Sequence, residues 1–209
     1  MEAIFDNHAN LLNTRLQSSH DNSIIYAIST SQTLWGRKYT YLRDANPALG
    51  EAPTTVGTID WKKKTFEIQG QRKSIKNIKR IPKGSSKGSR FWRWSDDREE
   101  YEIVYKKRMW KGLLSAKNND AEATLSVPFR SQLFGKTKPM VLNLSRTALA
   151  KDEVFLILVL IYSQTKRRDR KKALRAYLVL IQPKPTSTSD SVLSLLDMRT
   201  RIIGTTKNS

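Results

Sequence analysis

Nine consecutive apolar residues, Val154-Phe155-Leu156-Ile157-Leu158-Val159-Leu160-Ile161-Tyr162, constrain this chain more than any other stretch. Asp152-Glu153 precede them, and Lys166-Arg167-Arg168-Asp169-Arg170-Lys171-Lys172 follow. Acid before and base after match the dipole of a helix. A helix that is apolar on every face has to be enclosed by the rest of the fold. Val and Ile also suit a buried strand, and periodicity does not separate the two over so short a run. The flanking charges carry the segment past strand length, which favours a central helix over residues 151–168. A membrane-spanning helix needs about 20 apolar residues, so the expectation is a soluble protein without a transmembrane segment.

What encloses that helix reads as β structure. Ser23 to Ser29 and Lys38 to Arg43 form a hairpin around a turn at Gln32 to Gly36. Thr55 to Trp61 and Thr65 to Ile68 make a second pair around Lys62-Lys63-Lys64. Arg72 to Lys79, Arg90 to Trp94, Glu100 to Tyr105, Gly112 to Ala116, Ala123 to Val127 and Met140 to Leu144 continue the series. Many short strands spaced by turn signals point to a barrel or a sandwich. Residues 1–21 read as a leader or cap, with a short amphipathic helix around Asn10 to Gln17. Residues 22–172 are the β-rich domain, and 173–209 a C-terminal extension. Within that extension Ala176 to Ile181 reads as a further strand, Pro183 to Ser191 as a linker and Val192 to Ile203 as a weak amphipathic helix.

Three local patterns carry a resemblance. The first is Val56-Gly57-Thr58-Ile59-Asp60-Trp61. The second is Phe91-Trp92-Arg93-Trp94 followed by Asp96, Glu100 and Tyr101-Glu102. The third is Phe155 to Tyr162 leading into Lys166-Arg167-Arg168-Asp169-Arg170. In this order and spacing, over residues 22–172, they resemble an uncharacterised family of fungal tubby-like proteins, abundant in mushroom-forming fungi. That family is similar to the tubby C-terminal domain, plant LURP-one-related proteins and phospholipid scramblases. The resemblance implies a mainly β fold, a closed antiparallel β-barrel around one central hydrophobic α-helix, with short flanking helices. One departure is Asp97, which stands where the family has Gly after the Asp.

Charge narrows the function. The net charge is +19, and it is localised: residues 61–117 hold 18 basic and 6 acidic side chains, with no acid between Ile68 and Ser95. Such a field attracts polyanions: nucleic acid, lipid headgroups or acidic proteins. The alternative is a solvated face that keeps the protein in solution. Lys79, Arg80, Lys83, Lys87, Arg90 and Arg93 cluster along one loop and the strand after it. Lys106, Lys107, Arg108 and Lys111 form a second basic connection beside Trp110. A hairpin from Arg90 to Tyr105 would bring the two clusters together as an anion-binding patch. Trp110 would then lie at a membrane interface, stack on a base, or belong to the core beside Leu113 and Leu114.

Chemistry of other kinds has little to stand on. With no Cys there is no thiol nucleophile or thiolate metal site, and only His8 and His20 are present. No HExxH, DxDxDG or Walker string occurs. Gly84 to Ser89 reads as a flexible turn, and the acids at Asp96-Asp97 and Glu99-Glu100 balance nearby arginines. The expectation is a non-enzymatic protein with no cofactor and no metal. The resemblance to tubby proteins, which bind phosphoinositides, implies a phosphoinositide or acidic phospholipid as partner. Nucleic acid is the alternative, in view of Arg90-Phe91-Trp92-Arg93-Trp94. In a strand that segment puts Trp92 and Trp94 on one face and Arg93 on the other, which fits a barrel wall better than a stacking platform. A protein-interaction scaffold is a third reading. The location expected is intracellular, cytoplasmic or peripheral to a membrane, with the nucleus as an alternative through Lys166 to Lys172.

Overall fold

A computed structural model describes residues 1–7, 9–47, 52–82, 90–115, 120–128 and 138–180. The strands in chain order are β1 (Glu2–Phe5), β2 (Thr14–Ser18), β3 (Ile24–Thr33), β4 (Gly36–Asp44), β5 (Thr55–Asp60), β6 (Thr65–Ile68) and β7 (Gln71–Ser74). After the short helix α1 (Ile75–Ile78) come β8 (Lys79–Arg80), β9 (Arg90–Trp92), β10 (Tyr101–Lys106), β11 (Met109–Leu114), β12 (Ala121–Ser126) and β13 (Met140–Leu144). Two helices follow, α2 (Arg146–Lys151) and α3 (Glu153–Leu180). Among the described residues all thirteen strands form one antiparallel sheet in the order β7-β6-β5-β4-β3-β2-β1-β13-β12-β11-β10-β9-β8. The protein is therefore mainly β.

The ladder is open, with β7 and β8 at its two edges and α1 linking them in the chain. Side chains from strands near opposite edges nevertheless meet. Phe66 of β6 stacks on Trp92 of β9 with centroids 5.9 Å apart. Lys73 Nζ of β7 donates to the Trp94 carbonyl at 2.9 Å.

Alternation along the strands explains the core. Leu16, Ile28, Leu42, Ile59, Phe66, Trp92, Ile103, Leu125 and Leu142 each point to one face and are buried there. Against that face lies α3, whose residues from Phe155 to Thr165 are all buried. The β-branched content of this run favours a strand locally, but enclosure decides the matter. A helix satisfies its backbone hydrogen bonds internally, whereas a strand inside the apolar interior would carry unpaired N–H and C=O groups. Gly57 marks a close approach of sheet and helix. A Cβ there would stand 2.9 Å from Val154 Cγ1 and 3.0 Å from Leu158 Cδ1. The Val-Gly-Thr-Ile-Asp-Trp pattern is thus a strand with a gap for the helix.

The entry of α3 is fixed by a buried acid. Asp152 ends α2, and its carbonyl accepts the Leu156 N–H of the first turn of α3 at 2.9 Å. Its side chain accepts the Tyr101 hydroxyl at 2.8 Å and lies 3.8 Å from the Arg98 guanidinium. Burial, and then the hydrogen bond to Asp152, push the Tyr101 phenol far above its ordinary value. Next to it, burial raises the Glu153 carboxyl, an effect that a hydrogen bond from Tyr26 offsets in part. Tyr101→Phe leaves the Asp152 carboxylate without its buried donor. The expected loss is about 1.5–3 kcal/mol of stability, read by chemical denaturation. A loss within error would show that Arg98 and the helix N-terminus suffice for this carboxylate.

Four expectations are corrected. Arg72 to Lys79 is not one strand: β7 ends at Ser74, whose hydroxyl accepts the Lys76 N–H and caps α1, so Ile75 to Ile78 turn as a helix. Residues 10–17 hold no helix: Thr14–Ser18 is β2, and with β1 it lies inside the sheet between β3 and β13. Strand-like alternation of Thr14 and Leu16 inward, with Arg15 outward, outweighs the weak helical spacing. Ala176 to Leu180 is helical, not a strand, because α3 runs on past its basic segment. That segment therefore does not end the helix. From Asp169 onward the chain clusters as a separate unit, and Arg170 to Leu178 is an exposed helical stretch. The linker and helix expected beyond Pro183 lie outside the described residues, as does the loop of Lys83 and Lys87.

Candidate anion-binding site

The sheet has two ends relative to α3. At the end where the helix begins, Asp152 meets Tyr101, and Phe155 meets Trp94 with centroids 5.7 Å apart. At the other end Arg167 lies over the Tyr105 ring at 3.7 Å, and Arg168 donates to the Ala9 carbonyl at 3.3 Å. Cations collect at this second end from several distant segments.

One contribution is the β10–β11 turn. Lys106 faces Met109 in the ladder, so Lys107 and Arg108 are the two residues of the connection. Both adopt left-handed backbone, with φ of 48° and 65°. Asn and Gly are the usual occupants of such a turn, and a non-glycine residue there costs on the order of 1–3 kcal/mol. The β5–β6 turn repeats the choice, with Lys64 at φ 55°. Lys62, Lys63, Lys64, Lys106, Lys107 and Arg108 are all exposed. Among the described residues none of Lys106, Lys107 and Lys111 takes part in an ion pair, and Lys111 points outward from β11.

The other expected cluster is differently placed. Arg80 pairs with Glu100 at 2.7 Å and Arg93 with Asp96 at 3.1 Å. Lys79 lies over the Trp92 ring at 5.6 Å. Lys73, Lys79, Arg80 and Arg93 line a cavity of about 310 Å³, but Asp96 and Glu100 line it too. Carboxylates thus offset this cluster's charge. Arg90 faces Ile103, three residues short of Lys106, a separation of about 10 Å along a strand. The hairpin brings Arg90 and the Lys106–Arg108 turn to one end and leaves Arg93 toward the other. Trp110 is not a surface aromatic: it is buried, and its Nε1 donates to Gln164 Oε1 at 2.9 Å. Trp92 and Trp94 are buried as well, while Arg93 is exposed.

Sequence reasoning missed a third group. Thr33, Trp35, Arg37, Lys38, Trp61 and Lys62 line a cavity of about 660 Å³. No acid is among them. Arg37 lies over the Trp61 ring at 4.8 Å, and Lys166 over the same ring at 5.7 Å. The Trp61 ring is fixed from below by stacking on Tyr162 at 5.5 Å, and its Nε1 donates to Thr40 Oγ1 at 2.8 Å. The signal was present only in the pairing of β4 with β5, where Trp61 N–H donates to the Lys38 carbonyl at 3.0 Å. Among the described residues no group of three or more His, Asp and Glu could hold a metal ion.

Over residues 9–169 the sequence matches the family described as "Family of unknown function (DUF6593)". The chain belongs to this family. The DUF6593 match takes in β2 to β13 and the buried part of α3, so the three basic segments just described all lie within it. No curated protein and no solved structure matches the chain.

Proposed function

We propose that this DUF6593 protein is a non-enzymatic module that binds acidic phospholipid headgroups, phosphoinositides included, at an intracellular membrane surface. The observation that carries the reading is the gathering of cations from three distant segments at one end of the sheet. Residues 62–64, 106–108 and 166–168 all reach it, and three of them occupy backbone conformations that Lys and Arg fill at a cost. Chain separation makes this clustering a product of the fold rather than of a local basic tract. Among the described residues no helix is long and apolar enough to cross a membrane.

A closed tubby-like barrel is part of the same proposal. The Phe66–Trp92 stack and the bond from Lys73 to the Trp94 carbonyl support it, because both span the gap between the ends of the ladder. Hydrolase chemistry has less support. Gly84-Ser85-Ser86-Lys87-Gly88 fits G-x-S-x-G, but both histidines precede it, and the hydrolases with that motif place theirs after. Stacking of bases on Trp92, Trp94 or Trp110 is disfavoured by their burial.

The test is co-sedimentation with vesicles at physiological salt, using nuclease-treated protein. Each Lys or Arg near an anionic surface contributes about 1 kcal/mol. Reversing Lys106, Lys107 and Arg108 to Glu is expected to weaken binding to vesicles containing phosphatidylserine or a phosphoinositide by about a hundredfold or more. Melting behaviour should be unchanged, since all three side chains are exposed. Equal binding to neutral vesicles, unaltered binding of the variant, or displacement by RNA would each overturn the reading.

A further inference from the structure

We infer that Leu34 and Trp35, at the tip of the β3–β4 hairpin, form a wedge that enters the lipid interface when the basic end docks on an anionic bilayer. The inference rests on the acidic-lipid reading above and adds the depth-setting element.

Both side chains are fully exposed, at 102% and 98% of their reference areas. They occupy a two-residue connection, since Thr33 pairs with Gly36. Asn, Asp and Gly are the ordinary choices at such a position. Neither Leu34 nor Trp35 is one of these, and the glycine, Gly36 at φ 109°, stands just after them. The hairpin is also long. Ladder pairing of β2 with β3 stops at Ile28, and that of β5 with β4 stops at Tyr39. Residues 32–33 and 36–37 therefore project past both neighbours while still paired to each other. Two paired residues on β3 are about 7 Å of strand, so the tip that carries Leu34 and Trp35 can reach the 5–10 Å depth of interfacial insertion. Trp at such a depth keeps its ring in the apolar zone and its N–H among headgroups.

Charge decides the occupant. Trp35 shares its cavity with Arg37, Lys38 and Lys62, and no acid lines it. A second copy docking through the same end would oppose two cationic surfaces, whereas an anionic bilayer supplies the opposite sign and an apolar layer beneath it. The β3–β4 segment from Ile24 to Arg43 contains no acid either.

The experiment uses the full chain and vesicles of phosphatidylcholine with phosphatidylserine, with or without brominated acyl chains. Wild-type Trp fluorescence is expected to be quenched by the brominated lipid. Trp35→Ser should lose most of that quenching and bind about tenfold more weakly, while retaining salt-sensitive residual binding. Its thermal melting should be unchanged, because Trp35 is almost wholly exposed at the tip. Quenching or affinity that persists in Trp35→Ser overturns the wedge and leaves the acidic-lipid reading standing. No binding by the wild type overturns both. A Trp35-dependent dimer in sedimentation velocity, without lipid, assigns the tip to a second copy and also overturns the wedge.

Discussion

Leu158→Asp yields no soluble, folded protein. Leu158 is fully buried in the middle of the apolar run that opens α3 and packs where β5 has only the hydrogen of Gly57. An ionised carboxylate at that place loses its water and gains no partner, at a penalty of several kcal/mol. Cavity and packing losses of about 2–5 kcal/mol for removing a buried Leu add to it. The total rivals the whole stability of an ordinary domain, about 5–15 kcal/mol. Leu158→Met is the control, with an expected loss below about 1.5 kcal/mol. The measurement is the soluble fraction on expression, followed by circular dichroism and melting of whatever is recovered. A soluble Leu158→Asp protein that melts cooperatively would remove α3 from the core and with it the enclosing role assigned to the sheet.

That prediction was legible from residues alone, because an all-apolar run between charged flanks has few physical solutions. The hairpins of β3 with β4 and β5 with β6 were equally plain, since their alternation and turn residues are local. What failed was whatever depended on context. Thr14 to Ser18 is a weak pattern whose strand state comes from neighbours on both sides, Ala3 facing Ser18 and Tyr26 facing Leu16. Ala176 to Leu180 looked strand-like in isolation, yet it continues a helix already nucleated upstream, where each added residue adds one bond. The basic residues divided in the same way. Their types and sign were readable, but which of them carry carboxylate partners was not. Arg80 finds Glu100 twenty residues on, and only strand pairing brings them into reach. Arg37, Trp61 and Lys166 come together for the same reason, so no window along the chain could have joined them.

Trp92→Ala is expected to cost about 3–5 kcal/mol, the range for removing a buried aromatic. Its indole is fully buried. It stacks on Phe66 at an interplanar angle of 6° and meets the edge of Tyr162 at 5.8 Å. These three rings join β6, β9 and α3 where the ladder itself provides no bond between β7 and β8. The loss should therefore be uneven. Amide exchange is expected to accelerate first in residues 65–81 and 90–92, with β1, β2 and β13 protected longer because they pair on both sides. Trp92→Phe should cost much less. Among the described residues Trp92 Nε1 has no hydrogen-bond partner, so the smaller ring forfeits contact area but no polar interaction. Equal destabilisation by Ala and Phe would mean that the indole's bulk alone matters there. Uniform exchange across all strands in Trp92→Ala would mean that the two ends of the sheet are not held together at this seam. Opening confined to the seam would instead show that aromatic packing holds strands near the two edges of the sheet together where backbone pairing stops.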